Sequence, residues 1–182
     1  MLRALVVVDV QNDYFPGGAH PLAEPEAAAA NVRRLLDAFR AGGEPLVHVQ
    51  HVWDAPDAAF MRPGTRGGEI HDMVAPLAGE KVVRKTHPNS FLETSLADTL
   101  RLAGADHVVV CGMMTSMCVD ATARAASDLG FGVTIVADAC ATCDLEFEGE
   151  AIPARQIHGG FLAALRDGYG AVATTDELLS TS

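Results

Sequence analysis

Residues 107–129 read HVVVCGMMTSMCVDATARAASDL. A continuous apolar run, His107–Cys111, enters Gly112 and then a helix-like stretch from about Ser116 to Leu129. A short unbroken run of β-branched residues followed by a helical pattern marks a strand buried on both faces and its crossover helix. The same alternation recurs on either side. Toward the N-terminus, Leu5–Val10 reads as a strand and Ala27–Arg40 as a helix. That helix places Val32, Leu35, Leu36 and Phe39 on one face and stops at Gly42–Gly43. Pro45–Val52 and Lys81–Arg84 follow as strands, and Glu93–Leu102 as a helix closed by Gly104. Toward the C-terminus come a strand at Val133–Ala137, a helix at Pro153–Arg166 and a last strand at Ala171–Thr174. The pattern predicts one three-layer α/β/α domain over residues 1–182 with a mostly parallel sheet. In such sheets ligands gather at the C-terminal ends of the strands.

Composition narrows the function. At 182 residues the chain has the length of about one domain. With 49% hydrophobic residues it buries a sizeable core, which excludes a disordered chain. Thirteen Lys and Arg against 24 Asp and Glu leave a net charge of −11. That excess repels nucleic-acid phosphates and anionic membranes, so neither is an expected partner and a small neutral or cationic ligand is. The apolar stretch Ala4–Val8 is too short for a secretion signal, and no run reaches the roughly 20 apolar residues of a membrane span. Cys111, Cys118, Cys140 and Cys143 lack the spacing of a disulfide framework, so a cytoplasmic protein with reduced thiols is expected. The segment from Trp53 to Gly79, with three prolines and four glycines, is long enough to predict a functional loop rather than a connector.

Three strand ends carry reactive side chains. The first ends in Asp9, followed by Gln11, Asn12 and Asp13; the short strand ends in Lys85; the third leads to Cys118. If these strands are parallel neighbours, a carboxylate, an ammonium and a thiol meet at one edge. Cys118 falls in the first turn of its helix, where free N–H groups and the helix dipole favour a thiolate. Asp9 would accept its proton and Lys85 stabilise the charge, a set suited to nucleophilic acyl transfer. Each residue alone has an ordinary reading. Strand-end Asp is commonly a turn residue, Lys a solvated one and Cys a small buried hydrophobe.

The motifs decide between these readings. VVVDVQNDY at 6–14, PGTRGGEIH at 63–71, RKTHPNSFLETSL at 84–96, VVVCGMMTSMCVDATARAASDLGF at 108–131 and VADACAT at 136–142 resemble the isochorismatase-like cysteine hydrolases. That family includes nicotinamidases, carbamoyl-amide hydrolases and streptothricin-type hydrolases. The resemblance implies a six-stranded parallel sheet, a triad at Asp9, Lys85 and Cys118, and a non-proline cis peptide at Met113–Met114. It further implies an oxyanion hole from the backbone N–H groups of Met114 and Cys118. The implied reaction is cleavage of the C–N bond in a small carboxamide, carbamoyl compound or cyclic amide through a thioester, with no cofactor. A homodimer or homotetramer is expected on the same basis.

The departures from the family pattern matter too. Metal-binding nicotinamidases carry Asp-x-His after the second strand, whereas this chain reads His51-Val52-Trp53. His51 and His71 alone fall short of the three or four ligands a metal site takes, so no metal is expected. A metal-dependent nicotinamidase and a non-catalytic scaffold are the alternatives. Cys118 argues against vinyl-ether cleavage, because true isochorismatases lack this cysteine. Substrate contacts are expected from Tyr14, Phe15, Trp53, Asn89, Phe91 and Met117, with Asn12 and Ser90 nearby. Cys140 and Cys143 have redox-motif spacing but read as incidental thiols, and Cys111 as core. The acidic stretch 144–150, DLEFEGE, reads as a solvated loop that would select cationic substrates if it overhung the site.

Overall fold

The computed structural model describes residues 2–180. The elements along the chain are β1 (Arg3–Val8), α1 (Pro25–Gly42), β2 (Leu46–His51), β3 (Lys81–Lys85) and α2 (Leu96–Leu102). They continue with β4 (His107–Met113), α3 (Asp120–Asp128), β5 (Gly132–Ala141), β6 (Leu145–Phe147) and β7 (Glu150–Ile152). The chain closes with α4 (Ala154–Gly168), β8 (Ala171–Ala173) and α5 (Thr175–Ser180). Six strands form one sheet in the order β3-β2-β1-β4-β5-β8, and all five pairings are parallel. Helices α1 and α5 pack on one face of this sheet and α3 and α4 on the other. The three-layer α/β/α architecture expected from the strand and helix pattern is therefore the one adopted.

The central strands are the apolar runs of the sequence. Ala4–Val8 and Val108–Met113 are fully or almost fully buried, as strands covered on both faces must be. On α1, Val32, Leu35, Leu36 and Phe39 are all 0% exposed, each contributing about 1.5–3 kcal/mol of apolar burial. The helix closes at Gly43, whose φ of 64° is the left-handed conformation that glycine adopts at a helix end. From β1 the sheet grows one way through β2 and the other through β4, so the topological switch lies at the carboxyl ends of β1 and β4. Gly112 sits there with a φ of 122°, paired with Val8. A Cβ on Gly112 would collide with the Val8 carbonyl, so only glycine lets the two strands run this close beneath the site.

Several boundaries differ from the sequence reading. β1 stops at Val8 because Asp9 turns to a φ of 49°, outside the extended region. Helix α2 begins at Leu96 rather than Glu93, which itself has a φ of 56°. The helix expected from Ser116 is a π-turn at Thr115–Val119 followed by α3. β5 runs on to Ala141 past a register shift opposite Val110–Gly112. Residues 145–152 form an antiparallel hairpin instead of a loop, and α5 was not anticipated.

Candidate active site

The carboxylate, ammonium and thiol do meet, but not as three neighbouring strands. β2 lies between β3 and β1, so Lys85 reaches across the end of β2 to the switch point. Lys85 Nζ lies 2.6 Å from Asp9 Oδ2 and 3.2 Å from Cys118 Sγ. Both charged side chains are 0% exposed. The end of β2 supplies a third contact. His51, the register partner of Lys85, places Nδ1 2.8 Å from Nζ. An ammonium has three N–H groups, and these three acceptors match them. His51 Nδ1 therefore accepts, and its proton sits on Nε2.

Asp9, His51 and Cys118 are also the kind of groups that bind metals, with donor atoms all within 4.8 Å of one another. Lys85 Nζ, in contact with all three, already places a cation where they converge. The donor set is thus filled by a side-chain ammonium and does not fit a metal beside it. His71 does not join His51 in such a group. It stacks on Phe15 with ring centroids 3.8 Å apart, and its Nδ1 accepts the Met73 N–H.

Electrostatics revise the sequence expectation for the thiol. Burial comes first, then the Asp9 carboxylate, and both push the Cys118 pKa upward; Lys85 opposes them without winning. Cys118 rests as a thiol, not as the thiolate that its helix position suggested. A side-chain hydrogen bond to Asp9 is also among the causes that raise the thiol, so the carboxylate lies in contact with the Cys118 proton as well as the Lys85 ammonium. A buried carboxylate beside a thiol is suited to taking its proton.

The local sequence explains this placement. The π-turn holding Cys118 is tied down by Thr115 Oγ1 to His158 Nδ1 at 2.9 Å and by Ser116 Oγ to Thr142 Oγ1 at 2.8 Å. The peptide Met113–Met114 just before it is cis. The segment after Asp9 clamps the long loop. Gln11, fully buried, donates to the His51 and Gly68 carbonyls and accepts the His51 N–H. Asp13 accepts the N–H groups of Met61 and Ala19.

Above Cys118 opens a cavity of about 330 Å³. Its wall holds Tyr14, Trp53 and Met117 from the expected set, together with Met114 and His51. Phe60, Met61, Thr86 and Pro88 complete it, and nothing in their local sequence singled them out. Phe60 and Met61 face the site because Asp13 and the Trp53 N–H, bonded to the Met61 carbonyl, fold the loop back; Thr86 and Pro88 follow the end of β3. Phe15, Asn89 and Phe91 are not in the wall, in place of the pocket positions expected for them. Phe15 packs on His71; Asn89 accepts the Phe91 N–H in a local turn; Phe91 stacks against Phe131. Asn12 donates to the Arg66 carbonyl and Ser90 bonds Thr122, both holding loops. The 144–150 stretch contributes no residue to the wall either. All four cysteines are unpaired; Cys143 lies 3.8 Å from the Met114 sulfur, and burial pushes Cys140 up to about 12.

A parallel sheet whose switch point joins a thiol, a carboxylate and an ammonium defines an α/β protein with the equipment for acyl transfer. The isochorismatase domain model matches residues 3–176. The chain belongs to the isochorismatase family. It is 47% identical over 179 residues to the isochorismatase family protein YddQ of Bacillus subtilis (strain 168), covering 98% of this chain and 99% of that protein. A crystal structure from Oleispira antarctica, described as an isochorismatase hydrolase, superposes with a TM-score of 0.95 at 46% identity, covering 98% and 96% of the two chains. The N-carbamoylsarcosine amidase of Thermoplasma acidophilum superposes with a TM-score of 0.80 at 29% identity, covering 97% and 98%. Among the described residues no helix is long and apolar enough to cross a membrane.

Proposed function

We propose that this chain is a metal-independent cysteine amidohydrolase that cleaves the C–N bond of a small carboxamide, carbamoyl compound or cyclic amide. The observation that carries the reading is Lys85 Nζ in contact with both Asp9 Oδ2 and Cys118 Sγ, all three side chains buried and Cys118 lining the cavity. The amidase activity named for the structural neighbour in Thermoplasma acidophilum supports the bond type. Asp9 takes the proton of Cys118 as Sγ forms a bond to the carbonyl carbon. The backbone N–H groups of Met114 and Cys118 receive the oxyanion, a contribution of about 10²–10³-fold per donor in comparable sites. Collapse breaks the C–N bond, and Asp9 returns the proton to the leaving nitrogen. Water then adds to the thioester, giving its proton to Asp9; collapse breaks the C–S bond, and Asp9 returns that proton to the departing Cys118 Sγ, which restores the thiol. Lys85 pairs with the Asp9 carboxylate and lowers the cost of charge on sulfur. Tyr14, Trp53 and Met117 hold the acyl group.

Cytoplasmic location and assembly as a homodimer or homotetramer belong to the same reading; a sedimenting species of one chain only would remove the second. The decisive experiment traps the intermediate. Amides are screened for ammonia release, and peptides are mapped for acyl mass during turnover. Acylation confined to Cys118, with turnover lost in Cys118→Ala, is the expected result. A cellular function left intact by Cys118→Ala would favour the scaffold alternative, and a stoichiometric metal required for turnover would favour the metal-dependent one.

A further inference from the structure

The cavity wall says more about the acyl group than its size. We infer that the site selects an uncharged, mainly apolar acyl group, such as a cyclic or aromatic carboxamide or a lactam, and discriminates against substrates bearing a free carboxylate or ammonium there. This inference rests on the amidohydrolase reading above and narrows it.

Tyr14, Trp53, Phe60, Met61, Met114 and Met117 make the wall aromatic and thioether-rich. Trp53 meets Phe60 edge-on at 5.4 Å, and Phe60 lies 6.0 Å from Tyr14, so the rings form one continuous apolar side. The polar groups on offer are the Tyr14 and Thr86 hydroxyls, the Trp53 indole N–H, His51 and the Cys118 thiol, and none carries a charge. Burial and the Asp9 carboxylate raise the Tyr14 pKa, which keeps its hydroxyl protonated. Burial and the Lys85 charge lower that of His51, which keeps the ring neutral. The nearest cation, Lys85, already directs its three N–H groups to Asp9, His51 and Cys118. A substrate carboxylate lying against this wall would therefore lose part of its water without gaining a charged partner, which is a penalty.

Charged side chains do stand close by, in an adjoining space. Asp54, Arg62, Glu69, Arg84, Glu93 and Lys85 itself line a second cavity of about 520 Å³. The two cavities adjoin and share His51, Met61 and Thr86 in their linings. The wall above Cys118 thus holds no Asp, Glu, Lys or Arg side chain, whereas the adjoining cavity holds several. The acidic stretch 144–150, which would have favoured cations had it overhung Cys118, forms the β6–β7 hairpin and is absent from the wall.

The test compares occupancy of the cavity independently of turnover. An aldehyde captures a buried thiol reversibly: Sγ bonds to the carbonyl carbon and the thiol proton ends on the oxygen. Cyclohexanecarboxaldehyde and succinic semialdehyde are titrated as protectants of Cys118 against iodoacetamide, with alkylation mapped by mass spectrometry. The neutral aldehyde should protect at a concentration at least tenfold lower. In Met117→Lys, which sets a cation at the half-exposed edge of the wall, the ratio should shift toward succinic semialdehyde by at least fivefold. Equal or better protection of the wild type by the anionic aldehyde, or no protection by either, overturns the inference. Neutral protection without ammonia release or ring opening from benzamide, cyclohexanecarboxamide or a lactam leaves the selectivity standing and sinks the amidohydrolase reading.

Discussion

Cys118 sits between opposing influences, and single substitutions pull them apart. The Asp9 charge raises the thiol pKa and Lys85 lowers it. Asp9→Asn should therefore let Cys118 alkylate at lower pH than the wild type while turnover falls roughly 10²–10⁴-fold for want of a base. Lys85→Met should move alkylation the other way, to higher pH. Measuring iodoacetamide rates on Cys118 against pH checks both signs, and a shift to higher pH in Asp9→Asn would refute the arrangement. His51 yields a second prediction. Its Nδ1 must be unprotonated to accept from Lys85, and burial then Lys85 lower its pKa below the usual 6.5. The kcat/KM profile should hold down to that lowered value and fall below it, because His51 then turns a donor toward the ammonium. His51→Asn, which keeps an acceptor, should retain most activity and move the acid limb lower. His51→Leu should lose at least tenfold in kcat with little change in KM. Asp9, Lys85 and Cys118 were legible in the sequence because strand ends and motif spacing mark them. The part played by His51 was not, because only the strand order reveals that β2 intervenes between β3 and β1.

Elements are joined by polar residues, buried or part-buried, several of whose partners lie far away in sequence. Glu80 accepts from Arg40 on α1 at 2.8 and 2.9 Å, lies 3.0 Å from His48 Nε2 on β2, and accepts the Leu77 N–H. The Arg40 bond leads the causes that hold its pKa at about 2, against 4.5 for the free group. A depressed folded-state pKa stabilises above the unfolded value and loses that contribution as pH falls through the folded one. Glu80→Gln should accordingly cost about 1–2 kcal/mol at pH 7, or roughly 2–8 °C in Tm, with the difference vanishing between pH 4.5 and 2. A Tm gap that persists unchanged at pH 2.5 would remove this account. Strand and helix identities followed from apolar runs, since those same residues became the core. Boundaries did not, because they are set by tertiary contacts. β5 extends to Ala141 by pairing Cys140 with Gly112 and Ala141 with Met113. The β6–β7 hairpin did leave a signal: Glu148-Gly149 is a two-residue turn with positive φ at both positions, flanked by the alternating Leu145-Glu146-Phe147. Its acidic composition masked that alternation.

The whole molecule adds a field to the local geometry. A net charge of −11 spread over a chain of 182 residues repels anions at long range, and a partner that must reach Cys118 feels this before it meets the wall. The apolar wall adds a desolvation penalty that salt relieves little, because partly buried charges are screened less than exposed ones. These two contributions separate by ionic strength. Iodoacetate and iodoacetamide deliver the same carbon to the same thiol and differ by one negative charge. At about 20 mM salt iodoacetate should alkylate Cys118 slower than iodoacetamide by more than roughly tenfold, relative to their ratio on a free thiol. Raising the salt to about 0.5 M, where the screening length is only several ångströms, should recover part of that gap and leave a residue due to the cavity. Complete recovery would assign the whole effect to surface charge and leave the apolar wall with no part in excluding anions. An iodoacetate rate equal to that of iodoacetamide at low salt would mean that neither the field nor the wall acts, and that Lys85 attracts the anion despite its three bonds.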